Sequence, residues 1–233
     1  MMRVERPLVL FDIGAVLLRL TYDRFFAAVE QDHAPVTEFR RAYAQLELRD
    51  MLGQASNREF LTETKNLLGE PDLSDDDVTS LVSRCWGEQI DEMISLKSAL
   101  AQSDHAVGLL SNMGRFGFSI LSRTHPAIFE TFDPHAPRVY SFEHGVIKPE
   151  SGIYKLISSI YSPVIFIDDK EPYLTAAEPF GWKGIHYTPH IDTAEAVRQF
   201  NGHETRDTSS PNVRVCHDRV QVVEALRSFG IEI

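Results

Sequence analysis

A short, wholly apolar run that ends in an acid constrains this chain most: Leu8-Val9-Leu10-Phe11, followed by Asp12. Four apolar residues in a row, with no polar alternation, read as a strand buried on both faces, the pattern of a parallel sheet. Gly14 stands two residues after the acid, where a glycine lets the backbone turn sharply. In open α/β sheets ligands bind beyond the carboxyl ends of the strands, so Asp12 stands where chemistry is done. An aspartate that only caps a turn fits the same stretch, and the rest of the chain has to decide.

The pattern returns twice. Ala106-Val107-Gly108-Leu109-Leu110 ends in Ser111-Asn112, and Pro163-Val164-Ile165-Phe166-Ile167 ends in Asp168-Asp169. Val139-Tyr140 and Gly184-Ile185-His186-Tyr187 predict two further strands. Helices are expected after these runs, around Phe116-Ile120-Leu121, Ile153-Tyr154-Ile157-Ile160 and Leu174-Ala177-Phe180. Pro149 suits the first turn of the second of these. Residues 201–212 read as a polar loop, and Val220, Val223 and Leu226 mark a closing helix.

Between the first two strands the periodicity is helical and strand signals are nearly absent. Tyr22, Phe25, Phe26 and Val29 recur at helical spacing, as do Val36, Phe39, Tyr43 and Leu46. Ser56-Asn57-Arg58-Glu59 is a capping box. Ser74 and Asp77 open a helix expected to carry Val78, Leu81, Val82, Cys85 and Trp86 on one face, and Ile90, Met93, Ile94 and Lys97 continue the pattern. About eighty residues of helix exceed a single crossover, so most of this stretch is expected to be a small α-helical cap domain. The division expected is a core of residues 1–20 and 96–233 with a cap at 21–95.

Formal net charge is −11 over 233 residues. That disfavours nucleic acid and anionic membranes as partners, because phosphate backbones call for clustered Lys and Arg. Two cysteines, Cys85 and Cys216, offer no disulfide framework and fit a reducing cytoplasm. Arg3 and Arg6 before an apolar run imitate a leader peptide, but Asp12 interrupts the run.

Parallel strands would gather Asp12, Ser111, Lys148, Asp168 and Asp169 at one sheet edge. Phosphoryl transfer through a covalent aspartyl intermediate wants this set. A carboxylate nucleophile must approach a phosphate that is itself negative, and Mg2+ held by carboxylates removes that repulsion. Asp12 serves as nucleophile and ligand, Asp168 and Asp169 complete the acidic cage, and the Gly14 backbone carbonyl can face the metal. Ser111 and the Asn112 N–H can hold a phosphate oxygen, and Lys148 supplies a point charge. Taken singly, Ser111 or Asn112 and the Asp pair also fit helix caps, and Lys148 fits a solvated loop lysine.

The order and local sequence of these segments resemble the haloacid dehalogenase superfamily from about Leu8 to Tyr187. FDIGAVLL, LLSN, GVIKPESGIY and IFIDD resemble its four motifs in turn. The resemblance implies a Rossmann-like core with an inserted cap. It implies Asp12 as nucleophile, Ser111 and Lys148 as the phosphate-binding pair, and Asp168 and Asp169 as the metal site. Within the superfamily the chain looks most like the branch of glucose-1-phosphate phosphatases and the N-terminal phosphatase domain of epoxide hydrolases. Two positions depart from the pattern. The usual second Asp, a general acid and base, is Gly14 here, and Tyr173 stands where the family tends to carry Asn.

The resulting expectation is a Mg2+-dependent hydrolase of small phosphomonoesters. Lacking an acid at position 14, it should favour good leaving groups such as sugar 1-phosphates or aryl phosphates. His33 is one candidate to replace the acid. A 2-haloacid dehalogenase using Asp12, which also needs no second Asp, is the alternative reading, and a binding protein that keeps the fold is the third.

Overall fold

The computed structural model describes residues 7–33, 36–103, 105–130, 135–189 and 210–233. Its frame is a six-stranded parallel sheet in the order β5-β4-β1-β6-β7-β8. These strands are β1 (Leu8–Phe11), β4 (Ala106–Ser111), β5 (Arg138–Tyr140), β6 (Val164–Asp168), β7 (Lys183–Tyr187) and β8 (Val213–Cys216). A small antiparallel ribbon pairs β2 (Leu18–Leu20) with β3 (Trp86–Gln89). The architecture is α/β, as the apolar runs predict, and Rossmann-like, as the resemblance implies.

β1 lies at the centre because all four of its residues can be buried on both faces. Strand alternation sends odd and even residues to opposite sides. Val9, Phe11, Val107, Leu109, Ile165 and Ile167 share one hydrophobic cluster with Met93, Leu96 and Leu100 of α5 (Asp91–Gln102) and with Val222 and Leu226 of α11 (Arg219–Ser228). Leu8, Leu10, Leu110, Val164 and Phe166 face the other side. There they pack on Ile153, Tyr154 and Ile157 of α9 (Ser151–Ser158) and Leu174 and Ala177 of α10 (Glu171–Ala177). The expected junction at 95/96 falls inside α5, whose apolar face belongs to the sheet.

A third cluster gathers the insertion: α1 (Tyr22–Asp32), α2 (Val36–Met51), α3 (Asn57–Leu68) and α4 (Asp75–Ser83). The expected capping box is present, with Glu59 N–H donating to Ser56 Oγ at 3.2 Å and Ser56 N–H to Glu59 Oε2 at 2.8 Å. Ser74 caps α4 by accepting the Asp77 N–H. Phe116 and Ile120 of α6 (Arg115–Thr124), which follows β4, join this cluster, and the Phe60 and Phe116 rings stack 4.6 Å apart. The short helices α7 (Pro126–Phe129) and α8 (Ser141–His144) complete the set.

Several expectations are corrected. Residues 21–101 are not all helix: α4 ends at Ser83, Cys85 follows it, and Trp86 opens β3, paired with Leu20. The turn after Asp12 takes its left-handed residue at Ala15 (φ 57°), not at Gly14. Pro149 lies in the turn before α9, whose N-cap is Glu150. Cys216 is buried at the end of β8, a strand the sequence does not predict. On α11 the buried stripe is Val222, Ala225 and Leu226, while Val220 is exposed. Of the expected loop at 201–212, residues 201–209 lie outside the described residues, as do Arg3 and Arg6. Among the described residues no helix is long and apolar enough to cross a membrane.

Candidate active site

Parallel register brings the expected side chains together. Phe11 is level with Leu109 on β4 and with Ile167 on β6, so Asp12, Leu110–Ser111 and Asp168 end their strands side by side. The Asp12 N–H donates to Ile167 O at 2.9 Å, which extends the ladder to the acid itself. Carboxylate oxygens of Asp12, Asp168 and Asp169 lie within 4.8 Å of one another.

Lys148 is the centre of this group, and it is no solvated loop lysine: it is 1% exposed. Its Nζ donates to Asp168 Oδ2 at 2.6 Å and to Leu110 O at 3.1 Å. The same Nζ lies 3.1 Å from Asp12 Oδ1, off the hydrogen-bonding direction, and Asp12 Oδ1 is buried with no hydrogen-bond partner. Burial opposes the lysine's charge, but Asp12 and Asp168 outweigh it and hold the ammonium well above its ordinary pKa. Burial raises the carboxyl of Asp168 while Lys148 opposes the rise; that of Asp169 is raised by burial and by Asp168. With so short a contact to a charged lysine, Asp168 is the ionised partner of that pair.

The loop that carries Lys148 is held from β4. Asn112 Nδ2 donates to Lys148 O at 3.0 Å, and the Lys148 N–H returns a bond to Asn112 Oδ1 at 2.7 Å. The Asn112 side chain is thus a latch that sets the lysine, beyond the backbone role expected for this residue. Tyr173 has a place as well: Lys148 Nζ lies 5.1 Å from its ring centroid and 5.1 Å from that of Phe166, a geometry in which aromatic faces favour the cation.

Above the strand ends opens a cavity of about 690 Å³, lined on its core side by Asp12, Gly14, Ser111, Asn112, Asp169 and Lys170. Asp168 lies behind it; one oxygen serves Lys148, and Oδ1 accepts the Lys170 N–H at 2.8 Å. Asp169 is therefore the member of the pair open to the cavity. A Cβ on Gly14 would stand 3.2 Å from Leu20 Cδ1, so Leu20 borders the space that an acid at position 14 would enter. His33 lies elsewhere, 2.5 Å from Glu70, and does not line the cavity.

Two carboxyls of the insertion were missed in the sequence. Asp50 is 3% exposed and accepts the Phe116 N–H at 3.1 and 3.3 Å, capping the start of α6. Burial raises its pKa to about 6, although the Phe116 and Arg115 N–H groups oppose the rise. Glu47, one turn earlier, faces the cavity and accepts a hydrogen bond from the Tyr22 hydroxyl. Burial lifts its pKa to about 7, against the opposing effects of Tyr22 and Lys170. The signal was present: both acids continue the apolar stripe of Phe39, Tyr43 and Leu46 at helical spacing.

The donor set fits a hard divalent cation. Asp12 and Asp169 offer carboxylate oxygens, the kind of ligand Mg2+ takes, with the Asp168 carboxyl close beside them.

No protein-family model and no curated protein matches the sequence. Solved structures do match its fold. A HAD family enzyme from Bacteroides thetaiotaomicron, solved as a complex with magnesium and inorganic phosphate, superposes with TM-score 0.64 at 22% identity, over 84% of this chain and 100% of that one. A predicted HAD-like family hydrolase from Porphyromonas gingivalis gives 0.62 at 22% identity, over 86% and 99%. L-2-haloacid dehalogenase from Xanthobacter autotrophicus, with chloropropionic acid covalently bound, gives 0.64 at 15% identity, over 96% and 99%. The chain has the fold of the haloacid dehalogenase superfamily.

Proposed function

We propose that the protein is a Mg2+-dependent hydrolase of small, sugar-phosphate-like monoesters that works through an aspartyl-phosphate on Asp12. The observation that carries this reading is the buried charge cluster: Asp12 beside Lys148 at the strand ends, with Asp169 opening onto the same cavity. Asp12, Asp169 and the Gly14 carbonyl would hold the cation, which when bound neutralises phosphate oxygens and lets a carboxylate approach. Asp168 adds charge to the cluster and fixes Lys148. Asp12 attacks phosphorus, while Ser111, the Asn112 N–H and Lys148 hold the phosphoryl oxygens. The aspartyl-phosphate is then hydrolysed by water.

The insertion at 21–95 serves as the cap over the site, excepting the start of α5, which packs on the sheet. A hydrophobic cluster built mainly from its own residues, joined by Phe116 and Ile120 of α6, supports that assignment. The acidic balance favours a small phosphorylated metabolite over nucleic acid or a membrane as partner. Two buried, unpaired cysteines are in keeping with a cytoplasmic setting.

A 2-haloacid dehalogenase also needs no acid at position 14, so Gly14 does not separate the two readings. Against the dehalogenase reading, the adjacent carboxyls of Asp168 and Asp169 would repel the carboxylate of a haloacid. The test is phosphate release from an aryl phosphate and a panel of sugar phosphates, with and without Mg2+, against Asp12→Asn. Release that needs both Mg2+ and Asp12 is the expected result. Halide release from a chloroacid, or no turnover of any ester by the folded protein, would overturn it.

A further inference from the structure

Hydrolysis in two steps on Asp12 asks for a proton at the leaving oxygen and then for a base to take one from water. Gly14 has no side chain for either task. This inference rests on the phosphatase reading and names the group that does both.

The cavity narrows the choice. Asp50 is committed to the start of α6 through the Phe116 N–H. Tyr43 is packed among Phe25, Phe39 and Phe60, and burial holds its hydroxyl protonated. Asp23 is exposed on the first turn of α1. Glu47 remains. It lines the cavity that Asp12 and Asp169 line, and the Tyr22 hydroxyl holds one of its oxygens, leaving the other to exchange a proton.

We propose that Glu47, oriented by Tyr22, is the catalytic acid and base of this site, supplied from α2 of the insertion in place of a side chain at position 14. In the first step an Asp12 oxygen bonds to phosphorus, the ester P–O bond breaks, and the leaving oxygen takes the proton of the Glu47 carboxyl. In the second, water bonds to phosphorus and gives its proton to the Glu47 carboxylate. The P–O bond to Asp12 breaks, releasing phosphate and returning both carboxyls to their starting states. The groups facing Glu47 suit this cycle. Burial favours the neutral acid, Asp50 adds to that, Tyr22 and Lys170 favour the anion, and Tyr43 and Cys85 are close enough to sense its charge. Together they leave Glu47 able to hold or lose a proton near pH 7. With Glu47 in place, the preference for good leaving groups expected from Gly14 should surface only when Glu47 is removed.

The test compares Glu47→Gln with wild type on p-nitrophenyl phosphate and on an alkyl phosphate, each with Mg2+. The nitrophenolate leaves without a proton; the alkoxide does not. The expected result is about a 100-fold or greater loss on the alkyl ester, with phosphorylation of Asp12 by the nitrophenyl ester reduced only a few-fold at saturating substrate. Burst kinetics isolate that phosphorylation from the hydrolytic step, which should slow in the variant. Equal losses in phosphorylation by both esters, or no loss, would overturn the proposal. Tyr22→Phe, which keeps the carboxyl, should show the same leaving-group dependence at smaller size; an equal effect on both esters would count against it, even if Glu47→Gln fails to fold. A wild type inactive on both esters would instead refute the phosphatase reading on which this rests.

Discussion

Lys148→Met tests whether the buried cluster is built around one cation. At an effective dielectric constant of about 20, a charge pair at the 2.6 Å of Lys148–Asp168 attracts by about 6 kcal/mol, and one at the 3.1 Å of Lys148–Asp12 by about 5 kcal/mol. Much of that is cancelled by the hydration each ion gives up on burial. Removing the lysine recovers none of the hydration of the two carboxylates left behind. The net cost expected is about 3–5 kcal/mol, the range for breaking a buried pair from one side. The folded-state pKa of Asp168 already lies above the unfolded value, and in the variant, fully buried and without its partner, it rises further. The native state then binds that proton more tightly than the unfolded chain, so its stability falls as pH rises. Urea unfolding at pH 5 and pH 7.5, with EDTA to keep cations out, should show the larger deficit at pH 7.5. Lys148→Met/Asp168→Asn should be more stable than Lys148→Met alone. A loss under about 1 kcal/mol at pH 7.5, or an equal deficit at both pH values, would refute the reasoning.

Gly53 follows α2 with φ +69°, and a Cβ there would stand 2.2 Å from Phe142 O. Gly53→Ala should therefore cost about 2 kcal/mol or more in chemical denaturation. Lys97 Nζ donates to the carbonyls of Ala127, Ile128 and Glu130 at 2.5, 2.9 and 3.0 Å. Lys97→Met should cost at least about 2 kcal/mol by orphaning buried acceptors, which urea titration would read. Burial places Glu47 at about 7 and Asp50 at about 6, above their values of about 4 in unfolded chains. Each native carboxyl holds its proton more tightly than the unfolded one, so stability should fall as pH rises from about 4 to about 8. Unfolding of Glu47→Gln across that range should show a shallower fall.

The parallel core was legible because its strands are short apolar runs, and a strand covered on both faces admits little else. Asp12, Ser111 and Asp168 could be placed together because each ends such a run. Strands β2 and β3 were not legible. They are three and four residues long, they pair with each other outside the main sheet, and Trp86 falls where the α4 periodicity would carry it. β8 was hidden by its place at the sheet edge: Val215 is 58% exposed, so Val213–Cys216 shows no buried run. Lys97 lies on a helical stripe like any core residue, and only the fold shows that carbonyls of the α7 region meet it. What a charged residue on an apolar stripe does is decided by the segment packed against it, which a linear pattern does not specify.

The same point bears on how the insertion serves the site. Asp50 and Glu47 are one helical turn apart on α2, and they face different things. Asp50 grips the first turn of α6, and Phe60 of α3 stacks on Phe116 in that turn. Because α6 follows directly from Ser111–Asn112 at the end of β4, these contacts tie α2 to the segment proposed to hold the phosphoryl oxygens. An acid at position 14 would be placed by two peptide units from the nucleophile. Glu47 is placed instead by a chain of packing: α2 on α6, α6 on β4, and β4 on β1. A group carried this way depends on the integrity of the aromatic cluster as much as on its own chemistry. Its position is also set before any substrate enters, which is what a proton donor needs if it is to be in place when the ester bond begins to break.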